Sequence, residues 1–174
     1  KGVLGFGEMT AEHFSMREDH PYMSAPPDHP LFLRLADHAA KYDVPVDLHM
    51  EAVPAEMRPP SKLATPPNPT TLRPNLPAFE RLLAHNRRAR VVWVHFGWDS
   101  TGRRSVELTR SLLSKHPNLC ISIRVAGGMQ ARNVVWETFP LDGQGNLKKD
   151  WLALFQEFSD RFVIGSDEIF LAGD

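Results

Sequence analysis

Five ionisable side chains recur where successive strand-like segments end. The five are Glu8, His49, His95, Arg124 and Asp167. Side chains alternate between the two faces of a strand, so each of the five shares a face with the residue two positions before it. One polar residue at a strand end means nothing, whereas five in succession, with two histidines and two carboxylates among them, indicate a common site. Imidazole and carboxylate groups are the ligands expected for zinc or a similar divalent ion.

Each of these residues also has a simpler interpretation. His49 and His95 could each be a capping or hydrogen-bonded histidine at a strand end, and Glu8 could be a surface carboxylate. Asp167 could cap a following helix, as aspartate often does. Glu51, which has the same parity as His49, could support the site or belong to a loop. The remaining histidines are interpreted as solvated residues of loops and helices, namely His13, His20, His29, His38, His85 and His116.

The elements that must position these side chains alternate along the chain. Apolar runs predict strands at 3–8, 44–49, 90–96, 119–124 and 161–167, and helical spacing predicts helices at 31–42, 76–85, 104–115 and 151–158. Strands that alternate with helices of this length indicate βαβ units and a parallel sheet. In a (β/α) barrel the inward residues at the carboxyl ends of the strands converge on one site.

Residues 52–75 form a long, proline-rich loop after the second predicted strand. A loop of this length inside a compact domain is usually functional or disordered. Its place after a strand end is where barrel enzymes carry loops that contact substrate. The sequence therefore leaves two interpretations open, a substrate-contacting loop and a disordered surface insertion.

Composition is that of one soluble globular domain. The 174 residues carry a formal charge of -1, 42% are apolar and 24% are charged. No basic excess points to a nucleic-acid partner, and no apolar run reaches the roughly 18 residues that span a bilayer. The single cysteine, Cys120, is interpreted as a buried small residue. One cysteine excludes an internal disulfide and favours a reducing, cytoplasmic location.

The strand-end motifs resemble the amidohydrolase superfamily, nearest to its branch of amidohydrolase-related metal-dependent hydrolases and decarboxylases. The matching motifs are GFGE at 5–8, PVDLH at 45–49, VVWVH at 91–95 and FVIGSD at 162–167. The resemblance implies a (β/α)8 TIM barrel, in which residues 1–174 form a single partial domain with strands four to eight. The family's first strand ends in a His-x-His pair, and this sequence contains none. The first three βα units are expected to lie in a preceding or separate piece.

The resemblance also implies roles for the matching residues. His49 would be a metal ligand, and His95 would be either a second ligand or a catalytic histidine that orients the substrate. Asp167 would bind metal and act as the general base for the water. Glu8 would occupy the place where some relatives bridge two metals. The implied cofactor is a divalent metal, zinc or alternatively manganese.

Two further residues indicate the substrate. Arg124 suits a carboxylate, because a guanidinium binds one through two hydrogen bonds, although an ion pair with Asp47 or Glu8 is the alternative. Trp98 could form a wall of the pocket. The first functional hypothesis is hydrolysis of an ester, lactone or amide bond in a small carboxylate-bearing molecule. The alternatives are non-oxidative decarboxylation by the same fold, and a non-catalytic barrel fragment that acts as a binding or assembly module. An incomplete barrel would leave an apolar edge that favours a homo-oligomer.

Overall fold

The computed structural model describes residues 4–16, 20–124 and 137–165. These residues form strands and helices in alternation after an initial pair of strands. In chain order the elements are β1 (Phe6–His13), β2 (Met23–Ser24), α1 (Pro30–Tyr42), β3 (Val46–Met50), a 3-10 helix (Ser61–Leu63), α2 (Leu76–His85), β4 (Val91–Phe96), α3 (Val106–Lys115), β5 (Leu119–Ile123), α4 (Lys149–Glu157) and β6 (Phe162–Ile164).

The six strands form one sheet in the order β2-β1-β3-β4-β5-β6. β2 pairs with β1 in antiparallel orientation, and every other neighbouring pair is parallel. Parallel neighbours need a crossover, and the four α-helices lie in the four crossovers. The α/β class and the mostly parallel sheet are therefore confirmed.

One face of the sheet packs against the helices. Leu48, Trp93 and Ile121 project from the central strands and are inaccessible to solvent. The Trp93 ring meets the ring of Phe79 from α2 at 5.0 Å between centroids, in an edge-to-face arrangement that aromatic pairs prefer. Each buried side chain of this size contributes about 1.5–3 kcal/mol by leaving water. The apolar contacts that stabilise the fold therefore lie on this face of the sheet, whereas the opposite face can carry polar residues.

The ends of the helices follow from local chemistry. Pro30 lies in the first turn of α1, where its missing N–H is not needed. The Ser105 hydroxyl accepts a hydrogen bond from the Leu108 N–H at the start of α3. α1 ends at Asp43, which has a left-handed backbone. None of the helices in the described ranges has the length and apolar character needed to cross a membrane.

The first strand begins and ends later in the chain than the sequence predicted. It was predicted at 3–8, but β1 runs from Phe6 to His13, so Glu8 lies near its beginning. The strand continues because Met9 and Ala11 still face the helices and pack into the core. The last strand, predicted at 161–167, is described as Phe162–Ile164. Cys120, predicted to be buried, is half-buried in β5.

The long loop at 52–75 packs as a unit. Val53, Leu63 and Leu72 bury their side chains together with Phe14, which follows β1. The Asn68 side chain accepts a hydrogen bond from the Ser15 N–H at 2.8 Å and donates to the Ser15 carbonyl at 2.9 Å. The loop thus has a small apolar core of its own, which rests on the segment that follows β1.

Candidate metal centre

Glu8, His49 and His95 come together on the polar face of the sheet. They lie on three adjacent strands, and one ligand atom from each lies within 4.8 Å of the other two. Glu8 Oε1 is 2.5 Å from His49 Nδ1, and Glu8 Oε2 is 3.2 Å from His95 Nε2. The two imidazole rings meet edge to face with centroids 4.6 Å apart. The sequence predicted these three residues as metal ligands, and the structure brings them together.

A bulge in β1 aims the Glu8 side chain. Phe6 pairs with Val46 and Met9 with Leu48, so two residues of β1 face a single residue of β3. The first of the two is Gly7, and a Cβ built there would lie 2.8 Å from Asp47 Cβ. Glycine is required because the two strands approach too closely for a side chain. The close approach of β1 and β3 therefore explains why a glycine precedes Glu8.

A second bulge, in β4, aims His95. Trp93 pairs with Ile121 and Phe96 with Ile123, so two residues of β4 again face a single residue of β5. His95 has a left-handed backbone with φ of 65°. The prediction from strict alternation, that His95 shares a face with Trp93, is wrong: Trp93 lies in the core against the helices. His95 reaches the polar face because the bulge reverses the alternation.

The Glu8 carboxyl group is held in its charged form. Burial by itself would raise its pKa, but hydrogen bonds from His49 and His95 outweigh burial and hold the pKa well below its usual range. An ionised carboxylate oxygen and two imidazole nitrogens are a donor set that zinc accepts. The Glu8 side chain is 37% exposed, against 10% for His49 and 16% for His95. The group is therefore open on one side, as a centre that admits a further ligand must be.

A pocket of about 190 Å³ lies beside the two imidazoles. Trp98 and Arg124 both line it, at the positions where the sequence placed a pocket wall and a substrate-binding cation. The Arg124 guanidinium lies over the Trp98 ring, 4.5 Å from its centroid. The other lining residues are His13, Phe14, Met16, His20, His49, Glu51 and His95. The pocket thus combines an aromatic wall, a guanidinium and two of the three candidate metal ligands, His49 and His95.

A smaller cavity of about 160 Å³ lies on the same face, on the other side of His95. Glu8, Asp47, Ser122 and Arg124 are among its lining residues. Burial raises the pKa of Asp47, and the charge of Glu8 adds to the rise. Arg124 lines both cavities. Its position fits both interpretations of Arg124: a cation that binds a carboxylate of the substrate, and an ion-pair partner of Glu8 or Asp47.

Two histidines interpreted as solvated belong to the pocket. His13 ends β1, and its ring lies 4.8 Å from the His49 ring and 4.5 Å from the His20 ring. Burial, with the neighbouring His49 and His20, lowers the pKa of His13. His13 Nδ1 lies 3.3 Å from the Pro21 carbonyl, so this nitrogen carries the proton and donates. The residues from Glu8 to His13 include no glycine or proline. This was the sequence signal that the strand continues as far as His13.

The histidines on or next to helices differ in their exposure to solvent. His38 and His85 are exposed, in agreement with the sequence interpretation, and His29 is half-buried. His116 is only 4% exposed and lies 3.5 Å from Glu80, so its solvated interpretation is wrong. Its burial follows from its position at the end of α3, where the chain turns back into β5.

Sequence reasoning missed Asp99 and Arg104, two buried residues that lie near Glu51. Glu51 is 3% exposed, and its carboxylate accepts a hydrogen bond from the Ser100 N–H at 3.1 Å. Burial raises the pKa of Glu51, while the charge of Arg104 opposes the rise. Asp99 and Arg104 are also buried there. The supporting role that the sequence left open for Glu51 agrees with this position.

Asp167, predicted to be the general base and a metal ligand, lies outside the described residues. Comparisons with family models, with curated proteins and with solved structures found no match to this chain. The function is therefore inferred from the residues of the site itself.

Proposed function

We propose that this chain belongs to a metal-dependent hydrolase of the amidohydrolase type, which cleaves an ester, lactone or amide bond in a small carboxylate-bearing substrate. The observation that carries the proposal is the convergence of Glu8, His49 and His95 beside a pocket lined by Trp98 and Arg124. In this proposal β1 and β3–β6 are strands four to eight of a (β/α)8 barrel. Their sequential parallel order supports that assignment.

The ligand residues would hold a divalent cation, with zinc favoured and manganese as the alternative. Such an ion lowers the pKa of a water ligand towards about 7 and polarises a carbonyl group. Glu8, ionised between the two imidazoles, would supply the negative charge that holds the ion. Asp167 would take the proton from the water and deliver it to the leaving group. His95 borders the pocket and, as the alternative to binding the metal, would orient the scissile carbonyl.

The substrate would enter beside the two imidazoles. Arg124 would bind a carboxylate of the substrate through two hydrogen bonds. Trp98 offers a flat apolar surface, and Phe14 lies on the pocket wall as well. A planar or short-chain acid fits a cavity of about 190 Å³ better than a polymer does.

The direct test is removal of one ligand. We expect His49→Ala to lose bound zinc and to abolish turnover across a panel of esters, lactones and amides, with an unchanged circular dichroism spectrum. Asp167→Asn is expected to keep the fold and to lose turnover. The matched control is His38→Ala, an exposed histidine on α1, which should behave as the wild type does. Metal content by mass spectrometry and initial rates are the readouts, and full zinc content and turnover in His49→Ala would refute the proposal.

The same assay separates the alternative chemistry. A metal-dependent decarboxylase of this fold would release carbon dioxide from an aromatic or unsaturated acid and would leave the esters intact. Arg124 beside His95 is the observation that keeps this candidate, because a guanidinium there could also hold the carboxylate that departs.

A non-catalytic assembly role is supported by a different part of the molecule. At the β6 edge Ile164 is 93% exposed and Val163 is 50% exposed. An apolar strand at the edge of a sheet favours association with another chain. A stable homo-oligomer in light scattering, combined with no zinc binding, would favour this role over hydrolysis.

A further inference from the structure

A buried guanidinium lies behind the ends of the two strands that carry the histidine ligands. Arg104 is 1% exposed and stands in the loop between β4 and α3. It donates to the Met50 carbonyl at 2.5 Å and to the His95 carbonyl at 2.8 Å. Longer hydrogen bonds, at 3.4 Å and 3.3 Å, reach the carbonyls of Val94 and Trp98. One side chain thus joins the end of β3, directly after His49, to the bulge of β4.

Ion pairing alone does not explain why this guanidinium is buried. A buried charge is costly unless it is well paired. The nearest carboxylate recorded for Arg104 is Glu51, at 3.8 Å, which is longer than a hydrogen bond. The backbone carbonyls stabilise the charge together with Glu51, and the rings of Trp93 and Phe96 flank the guanidinium at 5.3 Å and 5.4 Å.

The bulge of β4 is what makes these carbonyls available. A bulge disrupts the ladder of hydrogen bonds, so its carbonyls need other donors; the His95 carbonyl accepts from the Trp98 N–H at 3.0 Å as well as from Arg104. His95 has a left-handed backbone, which costs free energy in a residue other than glycine. The hydrogen bonds that its carbonyl accepts from Arg104 and from the Trp98 N–H offset that cost. The conformation that turns His95 towards Glu8 is therefore coupled to Arg104.

The loop that delivers Arg104 is itself braced. Asp99 is 2% exposed, and its carboxylate accepts hydrogen bonds from the backbone N–H groups of Arg104 at 2.7 Å and Gly102 at 2.9 Å. The Thr101 hydroxyl donates to the Ala52 carbonyl at 2.8 Å, which ties the loop to the chain after β3. The guanidinium is consequently held at a defined distance from both strands.

We infer that Arg104 is a positioning residue of the proposed metal centre: it holds the ends of β3 and β4 at the separation at which His49 and His95 both face Glu8. This inference rests on the proposed function, because it takes that group as the metal site. Lysine cannot replace the arginine, since a single ammonium group cannot span two carbonyls as the planar fork of a guanidinium does.

The test is the zinc affinity of Arg104→Lys. We expect the dissociation constant for Zn²⁺, measured by calorimetry with the full chain, to rise by roughly 10- to 100-fold, as loss of an outer-sphere partner usually causes. The matched control is Arg161→Lys. Arg161 likewise donates to backbone carbonyls, those of His116 and Leu119, but at the opposite end of the sheet. The control is expected to lose stability to urea and to keep wild-type zinc affinity.

A second readout does not depend on zinc. In the metal-free protein, the imidazole proton signals of His49 and His95 in NMR spectra should move in Arg104→Lys and stay in place in Arg161→Lys. Wild-type zinc affinity and unmoved imidazole signals in Arg104→Lys would overturn the inference. If the wild type binds no zinc, the proposed function fails, and the imidazole signals still decide the role of Arg104.

A variant that keeps the guanidinium guards against loss of folding. Asp99→Asn weakens the brace and leaves Arg104 in place. We expect it to change zinc affinity and the imidazole signals in the same direction as Arg104→Lys, but by less. Wild-type values for both in a folded Asp99→Asn would count against the inference.

Discussion

Glu8 stands between two imidazoles, and burial and hydrogen bonding act on its carboxyl group in opposite directions. The hydrogen bonds prevail, so the group stays ionised to lower pH in the folded protein than in the unfolded chain. A carboxyl group with a depressed pKa stabilises the fold above its unfolded pKa, and that stabilisation is lost as the pH falls towards the folded pKa. The ligand group thus contributes to folding even without a metal.

This gives a pH-dependent prediction for Glu8→Gln in the presence of a chelator. The glutamine cannot carry the charge, so the variant should unfold at lower urea concentration than the wild type at pH 7. The difference should shrink as the pH falls below about 4, because the unfolded wild type then takes up a proton that its folded form does not. Urea midpoints at pH 7, 5 and 3 measure this. A difference that stayed constant over that range would show that the charge of Glu8 does not stabilise the fold.

At the scale of the elements, two bulges separate what sequence periodicity could predict from what it could not. α2 lies at the predicted residues, and β4 and β5 lie within a residue of theirs, because their apolar spacing is regular. The bulges at Gly7–Glu8 and Val94–His95 each add a residue to one strand, and a two-residue period has no means of expressing that addition. For this reason His95 was identified as a ligand through an incorrect alternation. His13 was missed because the prediction ended β1 five residues early.

The bulge in β1 can be tested through its glycine. In Gly7→Ala the new methyl group would meet Asp47, so β1 and β3 must move apart. Forcing a methyl group into a packed position costs typically about 1–3 kcal/mol, and we expect a loss of that size together with weaker zinc binding. Thermal unfolding and calorimetry are the measurements.

The control for this glycine is Gly143→Ala, because a Cβ at Gly143 meets nothing within 4 Å. That variant should melt and bind zinc as the wild type does. Equal behaviour of the two alanine variants would mean that the close approach of β1 and β3 is unimportant to the centre.

At the scale of the whole molecule, a small apolar core, separate from the large one, reaches the pocket through Phe14 and Met16. The large core lies between the sheet and the helices, and the small one lies between the 52–75 loop and the segment after β1. Asn68 joins the small core to Ser15, two residues beyond His13. Sequence composition marked this loop as unusual, but it could not show that the loop packs, because the partner residue Phe14 is distant in sequence.

The link between loop and pocket predicts a local effect of Asn68→Ala. The substitution removes the hydrogen bonds of the Asn68 side chain to the Ser15 backbone and to the Leu63 carbonyl, each of which typically contributes about 0.5–1.5 kcal/mol. We expect faster hydrogen–deuterium exchange in residues 52–75 and around Ser15, with protection in β4 and β5 unchanged. The exposed Asn146→Ala serves as a control. Uniformly faster exchange over all strands would contradict a separate small core.

The packing of that loop has a consequence for divergence among related chains. Connecting segments accept insertions and deletions more readily than strands and helices do. Here the connecting segment 52–75 packs against Phe14 and Ser15, which follow His13 directly. Glu8, His49 and His95 instead lie on the strands of the sheet. Chains that share the strands but differ at 52–75 should therefore keep the same metal preference and differ in which molecules they admit.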